Sequence, residues 1–148
     1  MDNPIECIEY MVKSAISAFE NIGDLNHTPT YYVSEFEDNK VYISIFLINR
    51  STCNIYGCIR IYHERTKHNA VIYELHVSPK YRNKGNGTLL IKIAEKIVSG
   101  LHYKKCNIQV YKQQWLVDWY KKLGYREEEI QPEEGIQLYK LINDIKIK

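Results

Sequence analysis

Apolar residues open the chain at helical spacing, with Ile5, Ile8, Val12, Ala15, Ile16 and Phe19 following Asn3-Pro4-x-Glu6. An N-cap, a proline at the first helical position and a glutamate able to bond back to the cap predict that an amphipathic helix begins there. From Tyr31 the texture changes to Tyr, Val and Ile runs broken by polar turns: Tyr31 to Glu37, Val41 to Ile48, Ile55 to His63 and Ala70 to Val77. These predict consecutive antiparallel strands, with Asp38-Asn39-Lys40 and Arg65 to Asn69 as short connections. A helix is then predicted from about Thr88 to Ser99, a strand from Asn107 to Tyr111 and a helix from about Gln114 to Leu123. Two closing strands follow near Tyr125 to Ile130 and Ile136 to Ile142. Gly23, Gly100 and Gly124 stand just beyond periodic segments and suit left-handed helix stops.

Strand, long helix, strand around Val77 to Tyr111 is a βαβ unit, so its two strands should run parallel with a right-handed crossover. The rest of the sheet reads as antiparallel. The fold class is therefore α+β, a central mixed but mostly antiparallel sheet flanked by helices. Leu89, Leu90, Ile93, Ala94 and Ile97 form a continuous apolar stripe and belong to the core.

Composition narrows the class. The chain has 148 residues, 45% hydrophobic and 26% charged, which fits one ordinary domain over residues 1–148. Lys+Arg number 20 against 18 Asp+Glu, a net charge of +2 that gives no broad pull toward nucleic acid. The longest apolar stretch, Val41 to Ile48, falls far short of the roughly 20 residues that a membrane helix needs, so no membrane partner is expected. Met1-Asp2-Asn3-Pro4 does not resemble a signal peptide, which predicts a cytoplasmic protein. Cys7, Cys53, Cys58 and Cys106 form no C-x-x-C pair and read as free thiols. Cys53, Cys58, His63 and His68 superficially follow zinc-ligand spacing, but Ile55 to Tyr62 reads as a strand. Cys58 and His63 should then diverge, and no metal site is expected.

The candidate chemistry lies in Val77-Ser78-Pro79-Lys80-Tyr81-Arg82-Asn83-Lys84-Gly85-Asn86-Gly87-Thr88, which leads from a strand straight into a helix. Free N–H groups and the positive dipole end at a helix start favour an anion, and Gly85 and Gly87 leave the backbone approachable. Arg82 and Lys84 add positive charge suited to phosphate. A nucleotide P-loop would require Lys-Ser/Thr after Gly87, and a dinucleotide fingerprint would require a small residue where Leu90 stands. A plain tight turn is the structural alternative; the pyrophosphate of coenzyme A is the best-fitting ligand.

At this turn the sequence resembles the GNAT superfamily of acetyl-CoA-dependent N-acetyltransferases, whose motif is Gln/Arg-x-x-Gly-x-Gly/Ala. Arg82 to Gly87 matches every specified position, preceded by the similar Val77-x-Pro79-x-Tyr81. A second segment, Trp119-Tyr120-Lys121-Lys122-Leu123-Gly124-Tyr125, is similar to the family's aromatic-Tyr-x-x-x-Gly-aromatic signature. The resemblance covers about Ala70 to Leu141; the preceding residues agree in element type only. It implies that the strand pair splays and holds acetyl-CoA as cosubstrate in the gap. His76, Val77, Arg82, Asn83, Lys84, Gly85, Asn86, Gly87 and Thr88 would lie along the cofactor. Gln113 stands where the family often has Asn, which leaves its role open.

Acetyl transfer to an amine needs a neutral nucleophile, a stabilised oxyanion and a protonated leaving thiolate. By the resemblance Tyr120 is the acid; its structural alternative is packing, since Leu116, Tyr120 and Leu123 share a helical face. Strand alternation puts Glu74, His76 and Ser78 on one face and Tyr73, Leu75 and Val77 on the other. By the resemblance Glu74 is the favoured base or amine anchor, where partial burial would raise its pKa, with His76 as the other candidate; the structural alternative for Glu74 is a plain pair with a neighbouring Lys or Arg. Glu133-Glu134-Gly135-x-x-Leu138-Tyr139-Lys140 is similar to the end of diamine and polyamine acetyltransferases. An exposed acidic turn before a final strand is the commoner explanation of Glu127 to Glu129 and Glu133-Glu134 alike. Trp115 and Trp119 fit a pocket, a dimer seam or, at their four-residue spacing, the core.

The expected reaction is acetyl transfer to a primary amine, a small amine or polyamine ahead of a protein lysine or N-terminus. The rival reading is a non-catalytic acyl-CoA-binding or interaction domain. The family often dimerises, which makes a homodimer the assembly to test.

Overall fold

The structure, a computed structural model, describes residues 5–19, 27–36, 40–64 and 69–141. The cap at Asn3-Pro4, the stop at Gly23 and most of the two predicted strand connections lie outside these residues. Helix α1 (Ile5–Ser17) precedes four strands, β1 (His27–Phe36), β2 (Lys40–Asn49), β3 (Ile55–Glu64) and β4 (Asn69–Val77). A single 3-10 turn at Pro79–Tyr81 leads to α2 (Asn86–Gly100), then β5 (Lys105–Val110), α3 (Gln114–Lys122), β6 (Arg126–Glu127) and β7 (Ile136–Leu141). All seven strands join one sheet in the order β1-β2-β3-β4-β5-β7-β6. Among the described residues only β4 and β5 pair in parallel, as a βαβ crossover requires.

Alternation decides which side of the sheet is covered. Val41, Ile43, Ile45 and Leu47 of β2 and Ile59 and Ile61 of β3 are fully buried, while the residues between them are half-buried. Against that face pack Ile8, Val12 and Ile16 of α1 and Leu90, Ile93, Ala94 and Ile97 of α2, in one hydrophobic cluster. Cys58 and His63 fall on opposite faces of β3, the first half-buried and the second buried. The four cysteines are free thiols.

Several local expectations need correction. Gly100 does not stop its helix in a left-handed conformation; that conformation falls on His102, at φ 64°. Gly100 instead makes room for Met11 of α1, whose sulfur would stand 3.4 Å from an added Cβ. Gly124 does adopt the expected conformation, at φ 99°. The closing strand expected over Tyr125 to Ile130 shrinks to Arg126–Glu127. Beyond it Gln131 folds the loop on itself, its amide nitrogen donating to the carbonyls of Glu128 and Gln137.

The departure that matters most is in β4. Arg60 pairs with Glu74 but Ile61 pairs with Ile72, so Tyr73 is an extra residue in its strand. A bulge of this kind bends and twists the strand that carries it. Strict alternation would place Tyr73 with Leu75; instead its ring meets that of Tyr42 edge-on at 6.1 Å, on the outer face with Arg60 and Glu74. Parallel pairing between β4 and β5 also ends here, at Ile72 and Ile108. Beyond that point, up to Val77 and Val110, the two strands no longer pair with each other, each held only by its outer neighbour, and the sheet opens into a gap.

Candidate active site

The turn after β4 is built from backbone and braced by side chains. Tyr81 stacks on Tyr56 of β3 with ring centroids 3.9 Å apart, and the Ser78 N–H donates to the Tyr56 carbonyl at 2.9 Å. Asn86 is buried and donates from its amide to the Tyr81 carbonyl at 3.0 Å. Asn83 and Gly85 both take left-handed conformations, at φ 61° and 84°, and Gly85 is the N-cap of α2. The first backbone bond closing the helix start runs from the Leu89 N–H to the Gly85 carbonyl, at 3.0 Å. The N–H groups of the preceding turn therefore have no intrahelical acceptor. Gly85 supplies no capping side chain, and the first turn of α2 holds no acidic residue. An exposed, uncapped helix start of this kind presents N–H dipoles to an anion.

A cleft of about 420 Å³ opens onto this turn, lined by Leu75, His76, Val77, Arg82, Asn83, Gly85, Asn86, Gly87, Thr88, Trp115, Leu116 and Trp119. Arg82 is held beside it by an Nε–H bond to the Val77 carbonyl, at 2.8 Å. Gly87 faces Trp119, whose ring carbon would lie 3.5 Å from an added Cβ. A side chain there would reach into the space between Val77 and the indole. Lys84 is exposed and outside the lining. Gln113 is also exposed and outside it; it serves as N-cap of α3 without a side-chain cap bond. Asn at an N-cap reaches the free N–H groups, and the extra methylene of Gln spoils that geometry.

A second cleft, about 400 Å³, occupies the gap between β4 and β5 and is lined by Ile72, Tyr73, Glu74, Leu75, Ile108, Gln109, Val110, Tyr111, Leu116, Tyr120, Glu134 and Gly135. Leu75 and Leu116 line both clefts, so the two meet at this pair. Tyr120 lies just past it, 3% exposed, its ring edge-on to Trp119 and Tyr125. Among the described residues none hydrogen-bonds its hydroxyl. Burial pushes the phenol far above its ordinary pKa, with a smaller push from Cys106, so it stays protonated at neutral pH. Glu74 is not partly buried as expected but exposed, in an ion pair with Arg60 at 3.2 Å. His76 lines the first cleft and not the second.

Residues 30–141 match the family model described as the acetyltransferase (GNAT) domain. The chain belongs to the GNAT acetyltransferase family. The match reaches upstream of Ala70, across strands whose sequences agree with the GNAT pattern only in element type. No curated protein sequence matches the chain. Among solved structures, this GNAT domain is similar to the PaiA N-acetyltransferase of Thermoplasma acidophilum in complex with coenzyme A, at 21% identity and a TM-score of 0.56. That alignment covers 70% of this chain and 61% of the PaiA chain. Tetrahymena GCN5 aligns over 68% of each chain at 17% identity, with a TM-score of 0.57. The spermidine/spermine N-acetyltransferase SpeG of Vibrio cholerae, solved with manganese ions, aligns over 72% of this chain and 68% of its own at 16% identity and a TM-score of 0.54. These likenesses confirm the GNAT fold.

Several lining residues were not singled out by sequence motif. Trp115 and Trp119 carried a signal, but their four-residue spacing more often means core; Trp115 is in fact 67% exposed, in the cleft. Leu75, Leu116, Gln109 and Tyr111 had none. The acidic stretch divides: Glu127 pairs with Lys121 and Glu128 with Lys105, while Glu134 reaches the second cleft. Among the described residues no group of three or more His, Cys, Asp or Glu converges as a metal site, and no helix is long and apolar enough to cross a membrane.

Proposed function

We propose that this GNAT acetyltransferase moves an acetyl group from acetyl-CoA directly to a primary amine, through one such domain. The observation that carries the reading is a trough running from an uncapped helix start, past a buried tyrosine, to a mouth with carboxylates. The backbone N–H groups and Gly85 to Thr88 suit a pyrophosphate, with Arg82 beside them, and the open edge of β4 near His76 and Val77 suits the pantetheine arm. Lys84 would screen the phosphates from the surface. Gln113, outside both clefts, keeps only a marginal place in this set.

Bound acetyl-CoA supplies the activated acetyl thioester. Tyr120 holds the proton that a departing sulfur needs, and its buried setting keeps that proton in place until a strong base develops beside it. Glu74 stands beyond it as amine anchor and base. Its pair with Arg60 is exposed on both sides and correspondingly weak, so an incoming ammonium can take the place of the guanidinium. His76, on the cofactor side of Leu75, is the lesser candidate for that role.

The same mouth favours a small cationic amine over a protein lysine or N-terminus. Glu74 and Glu134 supply negative charge, Tyr73 and Tyr111 supply ring faces for an ammonium, and the Glu134-Gly135 loop bounds the space. Following the family, we take a homodimer as the assembly, which sedimentation in solution checks.

The test is thiol release from acetyl-CoA with a polyamine, a monoamine and a lysine peptide in parallel. Release is expected with the small amines, and Tyr120→Phe should slow it about 100-fold or more while coenzyme A still binds. Undiminished release in Tyr120→Phe would remove the tyrosine from the mechanism. Coenzyme A binding without release for any amine would favour the non-catalytic binding domain, for which the unengaged Gln113 is the supporting observation.

A further inference from the structure

A buried polar network lies behind Tyr120 that the proposed chemistry does not use. Lys140 of β7 places its Nζ 3.0 Å from Glu95 Oε2 of α2, with the two side chains only 13% and 9% exposed. The same ammonium donates to the Leu123 carbonyl at 2.9 Å, at the C-terminal end of α3. Glu95 Oε2 also accepts the Tyr125 hydroxyl at 2.9 Å, and Cys106 Sγ lies 3.8 Å from that hydroxyl. Gly124 makes this possible: an added Cβ would stand 3.3 Å from Lys140 Cε and 3.6 Å from Nζ.

We propose that Lys140 and Glu95 are positioning residues for Tyr120, fixing the end of α3 that carries the phenol relative to the helix that begins at the phosphate turn. The Tyr120 carbonyl accepts the N–H groups of Leu123 and Tyr125, at 3.0 and 3.2 Å, so its backbone is tied to the segment that Lys140 holds. Its ring meets that of Tyr125 edge-on at 5.8 Å, and Tyr125 is in turn held by Glu95. A cation on the last carbonyls of a helix complements the negative end of its dipole. Buried ion pairs are weak stabilisers because desolvation offsets their attraction, and apolar residues of the same volume commonly do as well. What apolar residues cannot supply is the bond to the Leu123 carbonyl. Glu95 sits on α2, so one carboxylate links the helix that starts at Gly85 to the helix that ends beside Tyr120.

The proposal rests on Tyr120 being the acid, and the two can fail separately. The deciding variant is Glu95→Gln/Lys140→Met, which removes both charges together and leaves Tyr125 an amide oxygen to donate to. Melting temperature, coenzyme A affinity and kcat are measured in parallel with Tyr120→Phe. Folding and coenzyme A binding within twofold of the parent are expected, with kcat about tenfold lower from a displaced phenol. If kcat stays within twofold while Tyr120→Phe is crippled, the positioning role is overturned and the acid survives; if Tyr120→Phe is also unaffected, both fall. Should the double variant not fold, Lys140→Arg decides. It keeps the charge, but its planar guanidinium cannot take the place of Nζ beside Gly124, so kcat should drop about threefold with coenzyme A affinity unchanged. Parent kcat in Lys140→Arg would overturn the proposal.

Discussion

The two ends of the trough are made of different material. The end at Arg82 to Thr88 is mostly backbone: left-handed residues, free N–H groups and a helix dipole, braced by the Tyr56–Tyr81 stack and Asn86. The end at Glu74 and Glu134 is side chains, brought from a strand bulge, a neighbouring strand and a loop. A backbone site is specified by which residues permit the turn, and one local segment can do that. A side-chain site is specified by which distant segments meet, and it can change its selectivity without disturbing the other end.

The largest effect should separate anion binding from helix stability. Thr88→Asp puts a carboxylate in the first turn of α2, where it complements the dipole yet repels a pyrophosphate. Coenzyme A affinity should fall about 100-fold by titration calorimetry, a like-charge penalty of about 3 kcal/mol, while the melting temperature holds or rises. A parallel loss of stability and affinity would mean that the turn is only structural.

Alkali should lower the stability of the whole fold through the buried groups around Tyr120. Burial raises the Cys106 thiol from 9.0 to about 12 and pushes the Tyr120 and Tyr125 phenols far above their ordinary 10.0. The unfolded chain releases these protons at ordinary pH values while the folded chain keeps them, so it binds fewer protons and stability must fall as pH rises. Stability is full below about pH 9 and should then decline by about 1.4 kcal/mol per pH unit for each group, the phenols joining near pH 10. Urea unfolding between pH 8 and 11 checks this, and Tyr120→Phe should remove one group's share of the slope.

Gly85→Ala tests the backbone end by conformation alone, since an added Cβ there meets nothing within 4 Å but must accept φ 84°. The cost should be about 1 to 2 kcal/mol of stability, read by thermal melting. The smallest effect belongs to the other mouth: Glu134→Gln should raise the KM of a cationic amine about threefold, with coenzyme A affinity unchanged, as expected for an exposed charge.

Much of the fold was legible along the chain because alternation and helical spacing are local properties. The parallel pair followed from strand, helix, strand, and the tight turn into α2 from Gly85 and Gly87 lying between a strand and a helix. The bulge at Tyr73 was not legible, because nothing in Val71-Ile72-Tyr73-Glu74-Leu75 marks one residue as extra; the register against Arg60 and Ile61 does. For the same reason the face of β4 was misassigned at Tyr73, while Glu74 keeps its expected face and lies exposed there, paired with Arg60. Gly100 was misread because a glycine after a periodic run signals a stop equally whether it turns the chain or lets a neighbouring helix approach.

The residue pattern alone determined the element order, the core stripe and the glycine-bearing turn at a helix start, since each depends on neighbours in the chain. Only the tertiary structure decided where the strands part, that Trp115 and Trp119 line a cleft, that Glu134 and not Glu127 or Glu128 reaches it, and that Lys140 and Glu95 meet behind Tyr120. Those are encounters between segments far apart in sequence, governed by sheet register and helix packing.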